Sequence, residues 1–227
     1  MDTNVLTGKL NYELLMKVKA SRKDEFEEHC KNTTKYVIDH KGFYGCTFSS
    51  RTDKDDTDHL YVRIEMVFDN QESLDSYQKD IVPKIRENST NFGDDAKLVG
   101  RFTWTIFHFE TGTISELSGK LIYEVFMKVK ANRQSEFEEH SRGTCKFVKD
   151  HKGFNAVEFS SRVDKDDKEF VQNKVQLVFD NQESLDSYQK DVVPKVREGS
   201  TNFGEDAKAT GRQVHTLFYH AKSSSCK

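Results

Sequence analysis

The 227-residue chain predicts an α+β protein built from two tandem units of the same βαββαβ order. Three observations carry that prediction: an internal duplication, segments alternating with period 2, and segments with apolar residues at helical spacing. Gly8-Lys9-Leu10 recurs as Gly119-Lys120-Leu121, and an offset of 111 then holds without a gap. His40-Lys41-Gly42-Phe43 returns as His151-Lys152-Gly153-Phe154, and Val67 to Asp80 returns letter for letter as Val178 to Asp191. Of 103 matched positions, 63 are identical. A unit of that length is a whole domain rather than a solenoid repeat. The units are 8–110 and 119–221, with 1–7 an N-terminal extension, 111–118 a linker and 222–227 a flexible tail.

Each unit reads in the same way. Leu10, Tyr12, Leu14, Met16 and Val18 alternate with Asn11, Glu13, Leu15 and Lys17, which is a strand. Ser21 is expected to cap a helix carrying Phe26, His29, Cys30, Thr33 and Val37 on one stripe, with Gly42 as its stop. A second strand runs from Phe43 to about Arg51. The acidic tip Asp53-Lys54-Asp55-Asp56 joins it to a third, in which Leu60, Val62, Ile64 and Met66 alternate with Tyr61, Arg63 and Glu65. Asp69-Asn70 caps a second helix, broken at Pro83. Arg101 to Phe109 forms the fourth strand.

With right-handed crossovers, this order gives an antiparallel sheet in the order 4-1-3-2 with both helices on one face, the ferredoxin-like arrangement. The other face is half apolar and needs cover. The simplest cover is the sheet of the second unit, giving an intrachain pseudo-dimer with a closed or nearly closed barrel.

Composition removes several function classes. Charged residues make up 32%, Lys plus Arg number 35 against 38 Asp plus Glu, and the formal charge is -3, so there is no basic footprint for nucleic acid. No run approaches the roughly 18 apolar residues of a membrane span. Without a basic, then apolar, leader the expected location is the cytoplasm. Cys30, Cys46, Cys145 and Cys226 form no CxxC pair and read as free thiols. The sequons at Asn32 and Asn88 are then without consequence. GxSxG, HExxH and GxGxxG are absent from the sequence.

The stretches FMKVKANRQSEFEEH, VKDHKGFNAVEFSSR and VQLVFDNQESLDSYQKDVVPKVRE, with their counterparts in the first unit, resemble the dimeric α+β barrel superfamily and in particular its antibiotic-biosynthesis-monooxygenase-like branch. The resemblance covers both units and implies the barrel fold. It also implies a range of activities: cofactor-independent oxygenation, cyclisation, haem degradation, or none. Haem-degrading members combine a first-strand Asn, a barrel-facing Trp and a second-helix His. Here Asn11 is matched by Ile122, and neither second helix holds a His. No cofactor is therefore expected.

Strand parity nominates the chemistry. The face opposite the helices carries Glu13, Arg63 and Glu65 in the first unit and Glu124, Phe126, Lys174 and Gln176 in the second. The fourth strands are expected to add Trp104 and His108, and His215 and Tyr219. Glu13, Glu124, His108 and His215 are the candidate acid/base groups, because a buried carboxylate or imidazole is readily tuned toward neutral pH. Arg63, Glu65, Lys174 and Gln176 are candidates for polar ligand contacts, and Trp104, Phe126 and Tyr219 for ring stacking. His29 and His140, on an apolar stripe, read as structural. The expected function is binding of a small aromatic or polycyclic molecule between the sheets, with a monooxygenase-like or cyclase-type reaction as the resemblance implies. The competing expectation is a non-catalytic interaction protein with a side-chain-filled barrel. Further homo-oligomerisation is compatible with both.

Overall fold

The computed structural model of the chain describes residues 6–54, 56–111, 118–165 and 167–223. Most of the expected linker (112–117), the first five residues, the last four with Cys226, and hairpin-tip residues Asp55 and Asp166 lie outside the described residues. The first repeat forms β1 (Leu10–Lys19), α1 (Lys23–Thr34), β2 (Phe43–Arg51), β3 (His59–Phe68), α2 (Gln71–Asp80), α3 (Val82–Asn88) and β4 (Ala96–Thr111). The second forms β5 (Leu121–Lys130), α4 (Gln134–Thr144), β6 (Phe154–Arg162), β7 (Phe170–Phe179), α5 (Gln182–Asp191), α6 (Val193–Gly199) and β8 (Ala207–Lys222). The hydrogen-bonded strand order is closed, β1-β3-β2-β8-β5-β7-β6-β4.

The chain divides into two compact units. One, here the N unit, comprises Lys9–Trp104 and Thr216–Lys227; the other, the C unit, comprises Met1–Gly8 and Thr105–His215. The seams fall inside β4 and β8, so each of these 16-residue strands serves one unit with its first half and the other with its second. β4 is longer than the expected 101–109 because pairing continues through Ala96–Gly100, after the turn at Gly93 (φ 48°).

Period 2 sorts the N-unit sheet as expected. Tyr12, Val18, Met66 and Phe68 are buried in a core with Phe26, Leu74, Tyr77 and Phe92 of the helical side, each such side chain contributing about 1.5–3 kcal/mol. Register fixes the opposite face: Tyr12 pairs with Met66, so Glu13 pairs with Glu65, and Thr47 of β2 meets Glu65 from the other side. The C unit repeats the pattern with Tyr123, Val129, Phe137, Leu177, Phe179, Leu185 and Tyr188.

The helices differ from the expectation in one place. α1 ends at Thr34 rather than near Gly42, because the hydroxyls of Thr33 and Thr34 both bond back to the Cys30 carbonyl (3.0 and 3.1 Å) and the chain continues in turns. Ser21 does not cap it either. It sits within a 3-10 turn, Ala20–Arg22, and the helix start is held by Arg22, which pairs with Glu25 (2.7 Å) and Asp95 (3.0 Å) and lies 4.9 Å from the Phe92 ring. The second helix behaves as expected: Asn70 Oδ1 accepts from the Ser73 amide at 3.0 Å, and the break at Ile81 leaves Pro83 in the first turn of α3, where its missing N–H costs nothing.

The HKGF and FDNQESLDSY segments are one structural lock. Gly42 (φ 79°) accepts from the Asp69 amide at 2.8 Å, and His40 Nε2 lies 3.2 Å from the Ser73 carbonyl, its ring near Phe68 and Tyr77. A Cβ on Gly42 would run into Ser73 Oγ.

Candidate functional site

In the C unit, alternation along β5, β7 and β8 places Glu124, Lys174, Gln176 and His215 together. Glu124 stands directly opposite Gln176, which donates from Nε2 to Glu124 Oε1 at 3.1 Å. Lys174 Nζ is 4.0 Å from Oε1 and His215 Nε2 is 3.8 Å from Oε2, with Gln213 Oε1 3.2 Å from the same imidazole nitrogen. Glu124, Lys174 and His215 are 1%, 0% and 2% exposed. A carboxylate removed from water beside an ammonium and an imidazole is a group that can exchange a proton, with a cation ready for a developing oxyanion.

The N unit carries the matching set with different chemistry. Arg63 Nε lies 3.3 Å from Glu65 Oε2, and Glu65 also accepts from Asn11 Nδ2 (3.2 Å) and Thr47 Oγ1 (3.4 Å). Glu13 faces Glu65 across the β1–β3 ladder, so two carboxylates share this place with one guanidinium. Trp104 is buried, with Phe102 6.3 Å from its ring.

Two expected site residues sit elsewhere. His108 and Tyr219 were read onto the same face as Trp104 and His215 by strict alternation. Instead the His108 ring lies 5.9 Å from Phe159 and beside Cys145, two residues of the helix-side core of the C unit. Tyr219 occupies the equivalent place in the N unit, 5.6 Å from Phe48. In neither unit do these residues join the polar cluster. Phe126 remains on the same face as Glu124, two residues along β5, near the backbone at Gly211.

Sequence reasoning missed Asn11 as a partner of Glu65, together with Thr47 and Gln213. Extending the parity argument to β2 and to the start of β8 would have found the last two. It also missed a second cluster in the C unit, His108, Glu110 and Cys145, whose ligand-type atoms all lie within 4.8 Å of one another. Burial lowers the His108 pKa, opposed by the Glu110 carboxylate, and burial together with that carboxylate pushes the Cys145 thiol up to about 12. Cys30, Cys46 and Cys145 are free and buried, as expected. His29 and His140 are structural in placement, bonded at 2.8 and 3.0 Å to Ser89 and Ser200. A shallow hollow lined by Lys19, Ser21, Thr57 and His59 contains none of the clustered residues.

A family model described as a domain of unknown function, DUF4286, matches residues 120–217. No curated protein matches the chain. Among solved structures, the chain is similar to a candidate monooxygenase from Fusobacterium nucleatum subsp. nucleatum ATCC 25586, with a TM-score of 0.71, 9% identity and 95% of each chain covered. It is also similar to an anthrone oxidase-like protein, with a TM-score of 0.61, 13% identity, and 96% of this chain and 94% of that one covered. A third is an uncharacterized ferredoxin fold protein related to antibiotic biosynthesis monooxygenases from Listeria monocytogenes 4b F2365, with a TM-score of 0.52, 4% identity, and 96% and 99% covered. At these identities the likeness establishes the fold alone, a ferredoxin-like α+β barrel arrangement. Among the described residues no helix is long and apolar enough to cross a membrane.

Proposed function

We propose that the chain binds a small aromatic or polycyclic molecule bearing an acidic C–H conjugated to a carbonyl, and that Glu124 removes that proton in a cofactor-independent oxidation. The observation that carries this reading is the buried Glu124–Lys174–Gln176–His215 cluster. Ionisable groups are costly to bury, and apolar replacements are often neutral or stabilising, so a set of them without solvent points to use. Glu124 is the base, His215 shares the proton, and Lys174 holds the carbonyl oxygen as it gains negative charge. Phe126, on the same face of β5, offers a ring for stacking. Glu13, with Glu65 and Arg63, is a second carboxylate site on the N unit.

Anthrone is the natural probe, since one of the similar structures is described as anthrone oxidase-like. In the reaction, anthrone and one O2 give anthraquinone and one water: the base takes the C–H proton, the carbanion reduces oxygen, and water leaves from the resulting peroxide. Glu124→Gln keeps the shape and removes the base. Oxygen uptake with anthrone is expected to fall by about 10²–10⁴ with folding retained. Unchanged turnover, or a change in stability alone, would assign the cluster to structure. The proposed setting is the cytoplasm, with homo-oligomerisation beyond the single chain testable by light scattering.

A further inference from the structure

We infer that His108, Glu110 and Cys145 form a binding site for one divalent transition-metal ion, zinc foremost, tying β4 to the end of α4. It is separate from the proposed base: Glu124 and its partners take no part in it. The donor set is one imidazole, one carboxylate and one thiol, the mixture from which zinc sites are built. His108 Nε2 is 3.7 Å from Glu110 Oε2, and the three donor atoms lie within 4.8 Å of one another. Bonds of about 2.0–2.3 Å in tetrahedral geometry separate ligand atoms by roughly 3.5 Å, so closure needs a shift of about 1 Å, within reach of the Glu110 side chain. Cys145 is 4% exposed, while the His108 and Glu110 side chains are 19% and 26% exposed, which leaves a solvent-side position for water as fourth ligand.

Two independent observations point to a ligand. His108 Nε2 is buried and has no hydrogen-bond partner among the described residues, whereas buried polar atoms are normally satisfied. The duplication supplies the second. At the matched positions the other repeat has Tyr219, Ala221 and Thr34, so all three donors are replaced together where they would meet in the N unit. There Thr34 Oγ1 lies 3.9 Å from Cys46 Sγ, an ordinary core contact. The positive group facing the C-unit cluster is Arg142, which also pairs with Glu138 Oε2 at 3.6 Å and bonds to the Phe107 carbonyl at 3.4 Å. On binding, the Cys145 S–H bond breaks, an S–metal bond forms, and the proton passes to solvent.

The test is titration of the reduced full-length protein with cobalt(II) by absorbance and with zinc(II) by calorimetry. One equivalent is expected per chain, with a thiolate-to-cobalt charge-transfer band, release of a proton, and a rise in unfolding temperature. Cys145→Thr, His108→Tyr and Glu110→Ala, each the residue that the other repeat carries, are expected to weaken binding by at least about tenfold while anthrone oxidation stays unchanged. Zinc-edge X-ray absorption on the loaded wild type, which needs no variant to fold, is expected to show one sulfur among nitrogen and oxygen ligands. Absence of stoichiometric binding, a coordination shell without sulfur, or a charge-transfer band that survives Cys145→Thr would overturn the site.

Discussion

Lys174 and Glu124 show at the residue scale why a buried pair is informative. With both 1% exposed or less, removing one charge leaves the other buried with one opposite charge fewer. Lys174→Met is therefore expected to destabilise the chain by about 3–5 kcal/mol, and Lys174→Met with Glu124→Gln to recover most of that loss. Denaturant unfolding of the two variants checks this, and equal losses in both would show that the pair is not coupled. Gly42 and Gly153 make a second residue-scale case. Each has φ near +80°, and a Cβ at either would collide with the hydroxyl of Ser73 in α2 or Ser184 in α5. Gly42→Ala combines left-handed strain with that collision and should cost more than about 1 kcal/mol. An unchanged unfolding temperature would mean the HKGF lock is dispensable.

Helices α1 and α4 give the element scale its pH dependence. His29 and His140 have pKa values lowered by burial, with the neighbouring Glu25 and Glu136 carboxylates opposing. The folded state prefers the neutral rings, while the unfolded chain takes up protons near its ordinary value of about 6.5. Stability should thus be level above that pH and decline as pH falls through it toward the lowered folded values. The double variant His29→Asn/His140→Asn should flatten the decline, and an identical pH profile would rule these helices out as its source. The elements were also the most legible part of the sequence. Alternation in β1 and β3, the Asn70 cap and the Pro83 break all follow from local chemistry. The end of α1 was not legible, because Thr33 and Thr34 look like stripe residues until their hydroxyls are seen on the Cys30 carbonyl. Nor were the places of His108 and Tyr219. Strict alternation carried them to the face of Trp104, and only the tertiary contacts put them against Phe159 and Phe48.

At the scale of the whole molecule, the repeats and the compact units are cut at different points. Residues 8–110 lack the end of β8, whose Phe218, Tyr219 and Ala221 pack on the N-unit core. A single repeat carries its own copy of that strand end, Phe107 to Glu110, so two copies can complete each other by exchange. Residues 1–111 produced alone are expected to form a homodimer that dissociates only on unfolding; a stable folded monomer in sedimentation would contradict this. The duplication made the fold readable from sequence. It left the site half readable, because register reveals which residues share a face but not which of them differ in purpose between the two halves.

The most direct test of the proposed function is equilibrium dialysis of anthrone against the full-length protein. The account predicts saturable uptake of one molecule per chain, with binding retained in Glu124→Gln. Uptake that rises linearly without saturating would contradict it.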